Sequence, residues 1–556
     1  MGVRAGSIAE MQRSAQGSRR AGNVKALLLV IVAFAGVAVL GYFFTPGRGK
    51  PERRVLVIGW DGATWEMVEP LMREGRLPNL AKLVERGAAA TLESTKVPIS
   101  SAAWVGAVTG KGPGENGVYS FFEPVEGTYD VKLISSRSNQ AAPLWRILGW
   151  HGARSITFGV PVTYPPEKVE GVLVGCMLSP FDAQYAYPAT VTDLLRARGF
   201  VPDLGAWREK QEVTFERVKE QLAIKEQVLH EMLVAEDWSL AMIVFKDLDV
   251  WCHRMYDGKL DGPVAPHYEL LDATLGRLVE TAGKDVDVIV MSDHGFHPYR
   301  RSFFIHPWLV EQGFAVASTT PVSLPRDTQN LAEKRAVEHA ALLSMLELGQ
   351  SAAFAGVCEA NFGGIRLNVK GREPQGFVEP AEVEATLVRI EKALLAWRAP
   401  GRAEPVVLKV HRGAALYPGE FAGRLPDLIF ELDPSIAARS EPARVPYGEH
   451  AKPYPDHSLE GIWITSGPHF ARSVERGRVS VFDLAPTVLA LLELPVYSEM
   501  SGKVRSELFL DAKPPRLVEE RDDPAARRGY RPAPEEYDDK ELEEVKSRLK
   551  ETGYAQ

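Results

Sequence analysis

Along most of the chain, short uninterrupted apolar runs alternate with longer stretches in which apolar residues recur every three or four positions. The runs are Val55–Gly59, Ser155–Val160, Leu240–Phe245, Val286–Met291, Leu428–Leu432 and Ile462–Thr465. Each has the length of a strand, and the lack of polar alternation predicts burial on both faces. Between them, Met67–Arg86, Thr214–Val234 and His267–Ala282 carry helical periodicity. The implied fold is α/β, a mostly parallel sheet sandwiched by helices. From about residue 310 to 417 the pattern turns helix-rich and less regular, with helices expected at Leu331–Leu348 and Ala381–Trp397. That stretch reads as a cap inserted between two parts of one catalytic core, residues 55–309 and 418–513.

The ends follow other rules. Ala26–Phe44 is a run of 19 uncharged residues, as a helix roughly 28 Å long, enough to cross a bilayer. Residues 26–44 are therefore expected to be a single transmembrane anchor, after an N-terminal tail (1–25) and before a juxtamembrane linker (45–54). A cleaved signal peptide, with Ala33-Phe34-Ala35 as the cleavage site, is the competing reading, and a buried core helix is another. Basic residues flank the run on both sides, so charge does not set its orientation. A short leading segment before one span favours a catalytic domain on the extracytoplasmic side of the membrane. Residues 514–556, rich in charge and Pro, read as a solvated tail in which Glu536–Thr552 can form a charged helix.

Composition narrows the function classes. With 45% hydrophobic and 25% charged residues the chain can build a large core. A net charge of −8 leaves no basic footprint for a nucleic-acid duplex. Cys176, Cys252 and Cys358 are too scattered for a disulfide scaffold or a structural zinc ribbon.

Ligands of parallel α/β sheets gather beyond the carboxyl ends of the strands, and acidic residues stand there repeatedly. Asp61 follows the first run, Asp247 and Asp249 follow Leu240–Phe245, and Asp293 follows Val286–Met291. In Met291-Ser-Asp-His-Gly-Phe296, Asp293 and His294 offer a carboxylate and an imidazole to one cation. Asp249 and His253, four apart, share a face if a helix begins after the strand; Asp247 reads as a cap or a support. Ser100 and Ser101 stand where a helix is expected to begin, as N-caps or as a hydroxyl nucleophile that a metal activates. Gly106-Ala-Val-Thr-Gly110-Lys111 is one residue short of a phosphate-binding loop and lacks the following Ser/Thr, so that motif is rejected.

Taken together, these segments resemble the alkaline phosphatase superfamily in its type I phosphodiesterase/nucleotide pyrophosphatase branch, of the predicted phosphohydrolase or phosphomutase type. The resemblance runs from about Val55 to Val504 and also covers the segments 425–433, 457–462 and 481–489. It implies that Asp249, His253 and His457 hold one divalent metal while Asp61, Ser100, Asp293 and His294 surround a second. Zinc suits these nitrogen and oxygen donors better than manganese. His457 is preferred to His450 because it stands four residues before Gly461, as in the family. Ser100 matches the family's nucleophile, although Ala102-Ala103-Trp104 replaces the usual Pro-Ala-Trp and leaves Ser101 as an alternative. The expected enzyme is a metal-dependent phosphohydrolase, of the phosphodiesterase/nucleotide pyrophosphatase kind, acting through phospho-Ser100 on a small-molecule, lipid or glycan phosphate ester. His297, Arg300 and Arg301 are close enough in sequence to touch phosphate or leaving group, or are surface charge. Transfer to an alcohol, as in a phosphomutase or phosphotransferase, is the alternative on the same scaffold. A sulfatase is disfavoured because the Pro and Arg of that motif are missing, and a non-catalytic membrane-tethered binding protein is the reading of another class.

Overall fold

The structure, a computed structural model, describes residues 52–180, 182–202, 214–319, 343–473, 476–511 and 513–529. The expected anchor at 26–44, most of the 45–54 linker, most of the Leu331–Leu348 helix and the tail beyond residue 529 lie outside the described residues. Among the described residues no helix is long and apolar enough to cross a membrane.

Three sheets organise the chain. The strands used below are β1 (Val55–Trp60), β2 (Ala88–Glu93), β3 (Ser155–Phe158), β4 (Gly171–Val174), β5 (Ala186–Tyr187), β6 (Leu240–Phe245), β7 (Asp287–Met291) and β8 (Gly295–Phe304). They continue as β9 (Ala353–Glu359), β10 (Phe362–Leu367), β11 (Val407–Arg412), β12 (Leu428–Leu432), β13 (Ile436–Arg439), β14 (Tyr447–Ser458), β15 (Glu460–Ser466) and β16 (Gly477–Ser480). The helices are α1 (Ser100–Thr109), α2 (Phe215–Ala235), α3 (Asp247–Met255), α4 (Ala265–Ala282) and α5 (Val383–Ala396).

The main sheet has nine strands in the order β16-β2-β15-β7-β1-β6-β3-β4-β5. From β7 to β4 all neighbours are parallel. The sheet is nonetheless mixed, because β15 runs antiparallel to both β7 and β2. The apolar runs are explained by burial on both faces. Leu56, Ile58 and Trp60 of β1 enter one core with α2 and α4, while Val55 and Val57 enter the opposite core with α1 and the Leu484–Leu491 helix. Each such residue, fully buried, contributes roughly 1.5–3 kcal/mol.

Two expectations change. Leu428–Leu432 is not in the main sheet: as β12 it belongs to a four-stranded antiparallel sheet, β9-β10-β12-β11. The stretch expected to be helix-rich contains the other three strands of that sheet, with the Ala381–Trp397 helix present as α5. Leu387, Ile390 and Leu394 of α5 cover this sheet in a core of its own with Phe303 and Trp308. The Met67–Arg86 helix is broken into Trp65–Arg73 and Pro78–Arg86, since Pro78 cannot continue a helix and instead starts one.

A three-stranded sheet, β13-β8-β14, joins the two larger ones. Its antiparallel pairing places Phe296 opposite His457 and Gly295 opposite Ser458. Residues far apart in sequence are thereby brought to the carboxyl edge of the main sheet.

Candidate active site

The register of the main sheet levels three strand ends. Trp60 pairs with Phe245 and Gly59 with Met291, so Asp61, Lys246 and the Ser292–His294 segment leave the sheet side by side. Asp61, Asp249, Asp293, His294, Ser100 and His457 are all fully buried there. α3 begins immediately after β6 and carries Asp249 in its first turn, and His253 lies one turn further on the same face. β14 delivers His457 through its pairing with β8.

Ser100 is the first residue of α1, and Ile99 is the N-cap, so the Ser100 hydroxyl does not cap the helix. Its Oγ lies 3.1 Å from His294 Nε2 and 3.5 Å from Asp61 Oδ1. The neighbouring Ser101 Oγ is buried without a hydrogen-bond partner, so the geometry singles out Ser100. Trp104, one turn along α1, donates its indole N–H to Asp61 Oδ2 at 2.8 Å. That ring lies across the end of β1, where a Cβ on Gly59 would come within 2.5 Å of it. Only glycine permits this approach.

The histidine tautomers follow from their main-chain partners. His457 Nδ1–H donates to the Pro98 carbonyl at 2.7 Å, which turns the Nε2 lone pair toward Asp249 Oδ1 (3.2 Å) and His253 Nε2 (3.0 Å). His294 Nδ1–H donates to the Gly295 carbonyl at 3.1 Å, leaving Nε2 for Ser100. The His294 and His457 rings stack with centroids 3.6 Å apart. His253 Nε2 is 3.4 Å from Asp249 Oδ1, and His294 Nε2 is 3.3 Å from Asp293 Oδ2.

Two donor groups result. Asp249, His253 and His457 form one, and Asp61, Asp249 and His294 form the other, with the ligand atoms of each within 4.8 Å of one another. Asp249 thus belongs to both, which the sequence reading did not foresee. Asp293 adjoins the second group through His294. All seven expected residues meet in one place. His450 does not join them, as its Nε2 bonds Ser302 Oγ at 2.6 Å. Arg301 is paired with Glu449 at 3.1 Å, and His297 packs on Tyr299.

The electrostatics show a dry site crowded with carboxylates. Burial, and then the charge of Asp249, push Asp61 up to about 7. Asp293 is raised well above the carboxylate range by burial and by Asp61 and Asp249. Neither of its oxygens meets a donor in hydrogen-bonding geometry, although the amides of Gly62 and Asp293 itself ease its charge. Burial also opposes ionisation of Asp249, but the neighbouring His253 and Lys246 hold it well below its usual value. His294 is pushed well down by burial and by His457. Three carboxylates with one adjacent ammonium, Lys246 Nζ at 3.4 Å from Asp249 Oδ2, leave negative charge unbalanced. Divalent cations fit this set on charge, on donor type and on the convergence of lone pairs.

Sequence reasoning missed four contributors. Lys246 and Trp104 stood inside the quoted segments, and their type gave no hint of contact with Asp249 or Asp61. Glu359 and Asp456 form a third group with His457, and Glu359 Oε1 reaches His457 Nδ1 at 3.5 Å from β9 of the second large sheet. No local pattern announces that contact.

Comparison with known proteins bears on the fold and the family. No curated protein sequence matches the chain. Phosphonoacetate hydrolase from Sinorhizobium meliloti 1021, solved in complex with phosphonoformate, shares the fold with a TM-score of 0.53 at 16% identity, covering 81% of this chain and 98% of that one. The murine ectonucleotide pyrophosphatase/phosphodiesterase 5, an inactive variant in complex with AMP, gives 0.50 at 13% identity, covering 82% and 100%. The model of the type I phosphodiesterase/nucleotide pyrophosphatase family matches residues 55–456, ending one residue before His457. With more than half of its length matched, the chain belongs to the type I phosphodiesterase/nucleotide pyrophosphatase family, within the alkaline phosphatase superfamily, and is a hydrolase of phosphoric ester bonds.

Proposed function

We propose that this hydrolase is a metal-dependent phosphodiesterase in which Ser100 carries the phosphoryl group transiently. The observation that supports it best is the position of the Ser100 Oγ, within 3.5 Å of both Asp61 Oδ1 and His294 Nε2 and at the positive end of α1. Asp249, His253 and His457 would hold one divalent ion, and Asp61, Asp293 and His294 with Ser100 the other, Asp249 standing between. Bound there, two such ions supply charge stabilisation for in-line phosphoryl displacement and lower the proton affinity of the Ser100 hydroxyl.

The chain's own residues prepare the reaction. Pro98 and Gly295 fix the tautomers of His457 and His294, and Trp104 holds Asp61 in place. Ser100 Oγ forms a bond to phosphorus as the ester P–O bond breaks and the alcohol leaves. Water then cleaves the Ser100–phosphate bond, restoring the hydroxyl. Burial of the whole cluster keeps bulk water out and strengthens each interaction.

Zinc is the ion we expect, from the three imidazoles and three carboxylates. We also read residues 26–44 as a single-pass anchor with the catalytic part extracytoplasmic; resistance of the full chain to alkaline extraction, with protease access from outside only, tests that reading. The enzymatic proposal is tested by chelation and stepwise metal return with wild type and Ser100→Ala on a diester. Hydrolysis should vanish on chelation, return with metal, and stay absent in the variant.

A further inference from the structure

A second feature sits beside the site. The hairpin formed by Phe122–Pro124 and Val131–Leu133 leans on the four-stranded sheet, where Tyr129 Oη donates to Asn368 Oδ1 at 2.7 Å and packs edge-on against Phe354. Between hairpin and sheet lies a cavity of about 710 Å³, in the size range of pockets that take a drug-sized organic group. Two residues next to the reaction centre line it: Ile99, which directly precedes Ser100, and Glu359, which touches His457.

The walls tell what would enter. Ile99, Phe122, Val125, Ile134, Phe354 and Val357 supply apolar surface. Four cations also line the cavity, Lys132, Arg366, Arg372 and Arg424, and each is already matched by a carboxylate. Glu123 takes both Lys132 (3.1 Å) and Arg424 (3.3 Å). Glu373 takes Arg366 (3.0 Å) and Arg372 (2.7 Å), and Asp427 also binds Arg372 (2.8 Å). Glu126, Asp130 and Glu359 add further carboxylates to the lining, so an anion entering here would meet more acids than bases and would compete with these pairs.

We propose that this cavity receives an organic ester group of the substrate, and that the group is largely apolar and carries no negative charge, not one bearing further phosphates or carboxylates. The inference rests on the reading of Ser100 as the reacting residue and adds the substrate class. The balance of charge is the deciding feature: against the four cations the lining sets Glu123, Glu126, Asp130, Glu359 and Glu373, with Asp427 behind Arg372, so the cavity offers no surplus positive charge to a second phosphate.

The test uses two symmetric diesters, so that either ester group can enter: diphenyl phosphate and bis(4-carboxyphenyl) phosphate. Their dissociation constants are measured by calorimetry on metal-loaded full chain carrying Ser100→Ala, alone and combined with Val125→Trp or Glu123→Gln. Diphenyl phosphate should bind about tenfold more tightly than the carboxylate diester. Val125→Trp should weaken diphenyl phosphate about fivefold by filling the cavity. Glu123→Gln, which releases Lys132 and Arg424, should narrow the preference about threefold. Equal binding of the two diesters, or constants unmoved by both replacements in proteins whose unfolding temperature is unchanged, would overturn the inference. The underlying reading fails separately, if Ser100→Ala alone still hydrolyses either diester at the wild-type rate.

Discussion

At the scale of single residues, the site depends on side chains that hold its acids and imidazoles in one state. Trp104 illustrates this, since its indole N–H is a side-chain donor to Asp61 and Asp61 lies against Ser100 Oγ. Trp104→Phe keeps the packing and removes the donor. We expect metal affinity to fall about 10–100-fold, the usual range for loss of such a supporting partner, with little change in the unfolding temperature; metal titration by calorimetry checks it. His267 governs a different property. It is buried in α4 with neither ring nitrogen hydrogen-bonded, and burial pushes it down to about 3 from 6.5. The unfolded chain therefore takes up a proton that the folded one refuses. The stability concerned is fully present above the unfolded pKa of 6.5 and is lost as pH falls toward 3, by ~1.4 kcal/mol per pH unit. Urea unfolding of His267→Phe against wild type should show the difference growing in favour of the variant by about 2 kcal/mol between pH 6.5 and pH 5; parallel curves would contradict it.

At the scale of elements, the parts legible in the sequence are those whose chemistry is local. Asp61, Asp293 and His294 stand directly after buried strands, and Asp249 with His253 occupies one turn of one helix, so run length and helical spacing sufficed. Ser100 and His457 rest mainly on resemblance, and for His457 the structure supplies the reason. His457 is placed by a strand-to-strand register with Phe296, which no spacing encodes. Gly461, four residues on, begins the core of β15 where a Cβ would come within 2.4 Å of Ser292 Oγ and 3.3 Å of His294 C. The His-to-Gly spacing is thus a packing requirement between β15 and the end of β7. Gly461→Ala should destabilise by about 1–3 kcal/mol through overpacking, and should lower kcat/KM beyond the loss of folded protein because the displaced segment carries Asp293 and His294. Thermal unfolding with kinetics on the folded fraction separates the two effects. Of the four-stranded sheet only Leu428–Leu432 stood out as an apolar run: β10 is interrupted by Gly363 and Gly364, and β9 and β11 carry partly exposed residues, which weakens the periodic signal.

At the scale of the whole molecule, one sheet edge collects acids and imidazoles, and the second large sheet closes over it with Glu359. Removing the balancing charge should therefore loosen the entire edge. We expect chelation of the bound ions to lower the unfolding temperature and metal return to restore it, since a ligand that binds only the folded state stabilises it by mass action; scanning calorimetry of apo and reloaded protein reads this directly. The central claim, that Ser100 takes up the phosphoryl group, is tested most directly by acid quench of the metal-loaded enzyme during turnover of a phosphodiester, followed by mass spectrometry of the peptide containing Ser100. The account predicts on Ser100 a phosphoryl group that still carries the ester group that has not left, absent after chelation and absent in Ser100→Ala, which also loses turnover. Full turnover by Ser100→Ala, or that adduct appearing on Ser101 and not on Ser100, would contradict it.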